Sequence, residues 1–281
     1  MKRYAVLLTV HNRCEKTLSC LDGVFCAQLP ELVSVDVFMT DDGCTDGTPE
    51  AVKERYPAVH IIPGDGNLYW NHGMRKAWDA AAPGAYDAYI WLNDDVVPAA
   101  SFVAELTLAA EQTQWQAIIV GATVDAETGE QTYGGRIRQR LVPCSGSLEE
   151  VEYFNGNIVL VPAAVYGKVG NLDAHFSHSG GDFDYGHRAS KLGVKMFQCG
   201  QPLGTCSEHP ELPSWCNPSV PFRKRWKAMH SPTGMPPKNI FYFDKNHYSL
   251  GSAVFHWITI HLRCMFPSLW VLRQCRREKK S

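Results

Sequence analysis

At 281 residues, with 45% hydrophobic residues and a formal net charge of -2, the chain is long enough to bury one substantial core. It lacks the basic excess that nucleic-acid backbones demand of their partners, so nucleic acid is excluded as the main ligand on charge. Its ten cysteines (Cys14, Cys20, Cys26, Cys44, Cys144, Cys199, Cys206, Cys216, Cys264 and Cys275) are scattered without a CxxC pair, which reads as reduced thiols in a cytosolic chain rather than a disulfide framework or zinc site.

Met1-Lys2-Arg3-Tyr4 leads straight into a β-branched apolar run, Tyr4 to Val10, which predicts a strand and leaves no room for the apolar region of a secretory signal. The run stops at His11-Asn12-Arg13, and Leu18, Leu21, Val24 and Phe25 then fall on one side of a helix. Val33 to Thr40 predicts a second strand, Pro49 to Arg55 a short helix and Val59 to Ile62 a third strand. A glycine-bearing loop from Gly64 leads into a helix near Lys76, and Ala88 to Leu92 is the next strand. Such alternation argues for a parallel sheet with helices on its faces and ligands beyond the C-terminal strand edge.

The middle differs. Gln116 to Val124 and Gln131 to Val142 read as strands separated by a hairpin-like turn at Asp125 to Gly129, and Phe154 to Val161 returns to strand character. A helix is expected after Pro162, and another from Asp182-Phe183-Asp184 through Leu192, stopping at Gly193. Pro202 to Pro237, rich in Pro, Trp and basic residues, reads as an irregular covering segment or lid. Ala253 to Leu272 is the most apolar window, but His256, His261, Arg263 and Pro267 exclude a spanning helix. The alternatives are an amphipathic helix on a membrane surface, with the basic tail Arg273, Arg276, Arg277, Lys279 and Lys280 facing anionic lipid, or a helix packed on the domain.

Two acidic clusters end strands. Asp41-Asp42-Gly43-Cys44-Thr45-Asp46 follows one apolar run and Asn93-Asp94-Asp95 another, which places both on one anionic rim. Carboxylates gathered in this way are costly unless cations or hydrogen-bond donors compensate them, so the rim suits a divalent metal and a phosphate-bearing ligand.

Thr9-Val10-His11-Asn12-Arg13, Asp41-Asp42-Gly43-Cys44-Thr45-Asp46-Gly47-Thr48, Asn93-Asp94-Asp95 and Gly181-Asp182-Phe183-Asp184 with Arg188, in that order, resemble family 2 glycosyltransferases of the GT-A fold. Phe154 to Pro162 and Val169 to Asp173 resemble the family's acceptor-side strand and helix. The resemblance implies an α/β, Rossmann-like fold with a central, mainly parallel mixed sheet flanked by helices and a C-terminal helical extension. It divides the chain into a catalytic domain, 1–210, whose half 1–115 binds the nucleotide sugar and whose half 116–210 holds acceptor and catalytic groups. Residues 211–281 then form a lid and an amphipathic extension.

By the same resemblance the donor is met by Thr9, His11, Asn12, Arg13, Asp41, Asp42, Asn67, Trp70, Arg75 and Asp94. Asp41 receives the pyrimidine N–H, although Asp41 and Asp42 also suit helix capping near Thr48, and Asp46 suits a turn and cap. Asp95 is the implied ligand of Mn²⁺ or Mg²⁺, His209 completes the metal site, and Asn93 stands where the family has Asp. Asp182 is the implied general base, with Gly181 in place of the usual Glu, and Asn155 and Asp184 meet the acceptor. The alternative for this turn is that Asp182 caps a helix and Asp184 pairs with Arg188 on the surface. Arg75, where the family has Asn, either pairs with the diphosphate or is solvated, and Trp70 either stacks on the ligand or is buried.

The implied activity is metal-dependent, inverting transfer from a UDP- or dTDP-sugar to a hydroxyl of a glycan or lipid-linked acceptor in bacterial surface-polysaccharide assembly. The implied location is cytoplasmic, at the inner face of the plasma membrane, with membrane contact through the basic C-terminus. The competing readings are a sugar-phosphate nucleotidyltransferase, which usually opens with a Gly-rich basic loop where this chain has His11-Asn12-Arg13-Cys14, and a non-catalytic nucleotide-sugar or glycan-binding protein.

Overall fold

In strand β1 (Lys2–Val10), Tyr4, Val6, Leu8 and Val10 join one apolar cluster and Ala5 and Leu7 another, and all six are buried. A strand buried on both faces demands helices on both faces. The computed structural model, which describes residues 1–207 and 212–269, supplies them. After β1 come α1 (Cys14–Phe25), β2 (Val33–Asp41), α2 (Thr48–Arg55), β3 (His60–Pro63), α3 (Tyr69–Ala81), β4 (Ala88–Leu92), β5 (Val97–Pro98), α4 (Phe102–Gln112) and β6 (Ile118–Val124). The second half holds β7 (Gln131–Tyr133), β8 (Gly135–Ile137), β9 (Arg140–Leu141), β10 (Glu149–Glu150), β11 (Tyr153–Phe154), β12 (Ile158–Pro162), α5 (Ala163–Val169), α6 (Gly181–Lys191) and β13 (Met196–Thr205).

The main sheet runs β10-β13-β6-β12-β4-β1-β2-β3, with β5 beside β13 and β7 beside β6. Strands β3, β2, β1 and β4 are parallel, β12 runs antiparallel between β4 and β6, and β13 is parallel to β6. This is the mainly parallel α/β sheet that the sequence implies. Cys20, Leu21 and Val24 of α1 and Phe102, Val103 and Leu106 of α4 cover one face. Met74, Ala77 and Trp78 of α3 and Tyr185 and Ala189 of α6 cover the other, where the Trp78 ring lies 5.4 Å from Trp91 and 5.7 Å from Tyr185. Each fully buried Leu or Met here contributes roughly 1.5–3 kcal/mol of transfer free energy.

Several elements depart from the sequence reading. The expected strand Gln131 to Val142 is three short strands, because Arg138 (φ 47°) and Gln139 (φ 71°) make a left-handed two-residue turn between β8 and β9. Phe154 pairs in the small sheet β11-β8-β9, and the main-sheet strand starts only at Ile158. The segment expected to be irregular from Pro202 begins inside β13 and contains α7 (Phe222–Met229).

By contact the chain divides into Met1–Ala174 with Gly181–Glu208, and His175–Gly180 with His209–Ser281. The second unit contains α7, α8 (Pro237–His247) and α9 (Leu250–Met265) around Trp215, Cys216, Met229, Ile260 and Cys264. Ser249 caps α9 by accepting from the Ser252 N–H at 3.0 Å. At the other end of α9 the buried Arg225 donates Nε to the Cys264 carbonyl at 2.8 Å, placing a cation where helix carbonyls are unsatisfied. Among the described residues no helix is long and apolar enough to cross a membrane.

Candidate active site

Parallel pairing puts the ends of β1 and β2 side by side, Val10 opposite Asp41, and β4 continues the same edge. Antiparallel β12 begins where β4 ends, with Ile158 opposite Leu92, so Asn157 reaches that edge and its carbonyl accepts from the Asn93 N–H at 3.1 Å.

Asp42, 3% exposed, holds the loop that precedes α3. Its Oδ1 accepts from the N–H groups of Gly66 and Leu68 at 2.9 and 3.1 Å, and its Oδ2 from that of Tyr69 at 2.9 Å. A side chain at Gly64 would meet Asp42 at 2.8 Å, which is why the loop opens on glycine. Asp42 thus positions this loop. Asp41, half-buried, accepts from the Cys44 N–H, and His11 Nδ1 lies 2.6 Å from the Asp42 carbonyl. Asp46 ties two helix starts, accepting from Cys14 N–H at 3.0 Å and from Thr48 N–H at 3.1 Å, which is the turn-and-cap role read from sequence. Asn12 (φ 51°) accepts from the Thr45 N–H at 2.7 Å. Thr9 lies under α3, where a Cβ on Gly73 would come within 2.0 Å of its hydroxyl.

Arg13 joins the first motif to the second. Its Nη1 donates to Asp94 Oδ1 and Asp95 Oδ2, both at 3.1 Å. Burial pushes the Asp94 carboxyl up to about 6, with Arg13 opposing the rise. Asn93, the unexpected first residue of this motif, accepts the Trp70 indole N–H at 2.7 Å. It fixes Trp70, which is half-buried with its ring edge-on to Trp91.

Trp70 in turn lies against Gly156, where a Cβ would meet the indole at 2.8 Å and the Asp182 Cβ at 3.3 Å. The Gly156 N–H donates to Asp182 Oδ2 at 3.1 Å, and Asp182 Oδ1 accepts from the Phe183 N–H at 2.9 Å. Burial pushes the Asp182 carboxyl up to about 6, against the pull of these two N–H groups and of Arg136. Asp182 therefore stands one peptide from Trp70, whose indole reaches Asn93-Asp94-Asp95. Gly181 is explained too, because a Cβ there would fall 1.8 Å from Asn71 Oδ1.

Two expected site residues have partners within the fold. Arg75 donates to the Leu172 carbonyl. Its place on α3 explains this, since Asn71, His72 and Arg75 share one helical face, and the first two reach the Asp173 and Ala174 carbonyls at 2.8 and 2.9 Å. Asp184 is 1% exposed and pairs with Arg188 Nε at 2.7 Å, so the pair expected on the surface is buried at its carboxylate. Arg188 continues to the Val169 and Asn171 carbonyls, and two residues along a helix turn Asp184 away from the face that carries Asp182. Asn67 is exposed and bonds back to Asp65, and Asn155 accepts from Arg136 Nε at 3.0 Å. His209 lies outside the described residues.

Sequence reasoning missed Arg136, Gly156 and Cys206, whose thiol lies 3.9 Å from Asp95 Oδ1. The Asn155-Gly156-Asn157 triplet was the available signal for Gly156.

Among the described residues no three His, Cys, Asp or Glu side chains assemble a cage for a metal. The donor set still fits a hard divalent ion shared with a ligand. Asp94 and Asp95 offer the oxygen ligands that a hard divalent ion takes together with a phosphate-bearing ligand.

The Glycosyl transferase family 2 profile matches residues 5–176. N-acetylglucosaminyl-diphospho-decaprenol L-rhamnosyltransferase of Mycobacterium tuberculosis is 28% identical over 195 residues, and the match spans 57% of this chain and 62% of that protein, under two thirds of its length. The mannosyltransferase PcManGT from Pyrobaculum calidifontis, solved with GDP-Man and Mn²⁺, superposes with a TM-score of 0.56 at 15% identity over 99% of this chain and 81% of its own. S. aureus TarS 1-349 gives 0.54 at 11% identity over 74% and 60%. At these identities the likeness is one of fold.

Proposed function

This chain belongs to glycosyl transferase family 2, and from that premise we propose that it moves a sugar from a UDP- or dTDP-sugar to a hydroxyl of a glycan or lipid-linked acceptor, with inversion. The relative's acceptor, an N-acetylglucosaminyl-diphospho lipid, is the pattern for the acceptor proposed here, and the setting is the cytoplasmic face of a membrane. The observation that carries the reading is the contact chain Asn93–Trp70–Gly156–Asp182, which ties the Asn93-Asp94-Asp95 motif to a half-buried carboxylate at the acceptor end.

In this reading Asp182 takes the proton of the acceptor hydroxyl. The hydroxyl oxygen bonds to the anomeric carbon as the bond to the nucleoside diphosphate breaks on the opposite side, and a single displacement inverts that carbon. Arg13 sits with the rim carboxylates and meets the diphosphate, while Asp42, by taking the N–H groups of Gly66, Leu68 and Tyr69, holds the loop before α3 in shape. Asp95 and Asp94 would hold a divalent ion, Mn²⁺ or Mg²⁺, which would supply positive charge to the diphosphate. Trp70, fixed by Asn93, forms the wall between donor and acceptor.

A thermal-shift panel of UDP-, dTDP- and GDP-sugars with and without Mn²⁺, followed by turnover of the best ligand, tests the assignment, since tight ligands stabilise by mass action. Metal-dependent stabilisation by a UDP- or dTDP-sugar, with nucleoside diphosphate released on turnover, is expected. Pyrophosphate as the product would make the protein a nucleotidyltransferase, and tight binding without turnover on a polyprenyl-diphospho-GlcNAc acceptor would make it a binding protein.

A further inference from the structure

Helix α9 carries two apolar stripes. Ala253, Ile260 and Cys264 are buried, whereas Val254, Phe255, Ile258, Leu262 and Met265 are 37–61% exposed. On a helical wheel the exposed set covers an arc of about 100° that contains no Lys, Arg, Asp or Glu. The helix's one such residue, Arg263, lies over the Trp215 ring at 5.1 Å. Phe266 and Leu269, 55% and 61% exposed, continue the apolar run.

Beside this stripe runs a row of exposed and half-buried rings that links α9 to α7. Trp257 lies 4.2 Å from His261, His261 5.5 Å from Trp226, and Trp226 5.8 Å from Phe222. Trp257, Trp226 and Phe222 are 44%, 40% and 46% exposed. On α7, Phe222 and Trp226 share one stripe, and Arg223 and Lys227, four residues apart, form the exposed stripe next to it. The surface therefore passes from aliphatic to aromatic to cationic.

We propose that this face of α7 and α9 lies on an anionic lipid bilayer, with α9 in the plane of the interface, its aliphatic stripe in the acyl boundary, the rings at headgroup level and the α7 cations at lipid phosphate. That sequence of chemistries is the gradient of a bilayer surface. A second copy of the chain fits worse, because an isologous contact would bring the α7 cations toward their own copies, and neither α7 nor α9 contains an acidic residue to receive them. The proposal does not depend on which sugar the enzyme transfers.

Flotation of the full chain with phosphatidylcholine vesicles, and with vesicles containing about 30% phosphatidylglycerol, tests it. Wild type is expected to float with the anionic vesicles and to lose most of that binding in high salt. Phe255→Ser/Ile258→Ser/Leu262→Ser is expected to cut partitioning at least about tenfold with its circular dichroism unchanged, and Arg223→Gln and Lys227→Gln about fivefold each. Quenching of wild-type fluorescence by brominated lipid, weaker in Trp257→Phe, reads the same contact without a folding risk. A wild type that stays with the soluble fraction, a triple variant that floats unchanged, or a wild-type dimer that the triple variant turns into a monomer would each overturn the proposal, the last in favour of self-association.

Discussion

Asp42, at the strand edge, and Asp182, at the first turn of α6, are both carboxylates that accept backbone N–H groups. Asp42 is 3% exposed and accepts from Gly66, Leu68 and Tyr69, so its charge is what keeps a loop in shape. Asp182 accepts from Gly156, Phe183 and its own N–H, yet burial outweighs them, holding its carboxyl near 6. A carboxylate whose burial outweighs its donors keeps an appetite for protons. In the proposed mechanism the same side chain therefore serves architecture at Asp42 and proton transfer at Asp182.

The sharpest test of that contrast is Asp182→Asn, expected to lower transfer by about 10²–10⁴-fold while nucleotide affinity in a thermal-shift titration stays unchanged. Full activity would move the base elsewhere. The folded state holds the Asp182 proton more tightly than the unfolded chain, so its contribution to stability is present below the ordinary value of 3.8 and is lost as pH rises through about 6. The neutral Asn escapes that loss, and at pH 7.5 the variant should melt no lower than wild type. Asp184→Ala, two residues on, should do the opposite: it strands Arg188 without its buried partner and costs roughly 3–5 kcal/mol in denaturant unfolding.

Asp42→Ala should cost roughly 2–4 kcal/mol and weaken nucleotide binding as well, because three N–H groups lose their acceptor. A variant that binds poorly but unfolds like wild type would break the contrast and make Asp42 a direct ligand. Because the base works ionised, kcat/KM should fall as pH drops below about 6, a limb read from the wild-type pH profile. The smallest effect expected is that of Arg75→Gln, about 1 kcal/mol of stability from the lost bond to Leu172, with nucleotide affinity unmoved.

The strand-edge motifs were legible because an apolar run that stops at acids marks both a strand and its end. The roles of Arg75 and Asp184 were not, since the carbonyl of Leu172 and the burial of α6 are set by residues far along the chain. Strand β13 was hidden by Gly200, Pro202 and Gly204, which read as loop residues. The strand tolerates them through register shifts around Pro202, and Gly200 leaves room for Ser147, whose N would sit 2.3 Å from a Cβ. Helix α4 has apolar residues on too much of its circumference to show a clear period, being covered by sheet along one side and still carrying an exposed Leu108.

Gly156 has a consequence for anyone who wishes to reshape this enzyme. One unadorned backbone unit lies between the Trp70 indole and the Asp182 side chain, so any added methyl must push these two groups apart. Variation is better placed around Arg136 and Asn155, which meet through side chains, Nε to Oδ1 at 3.0 Å.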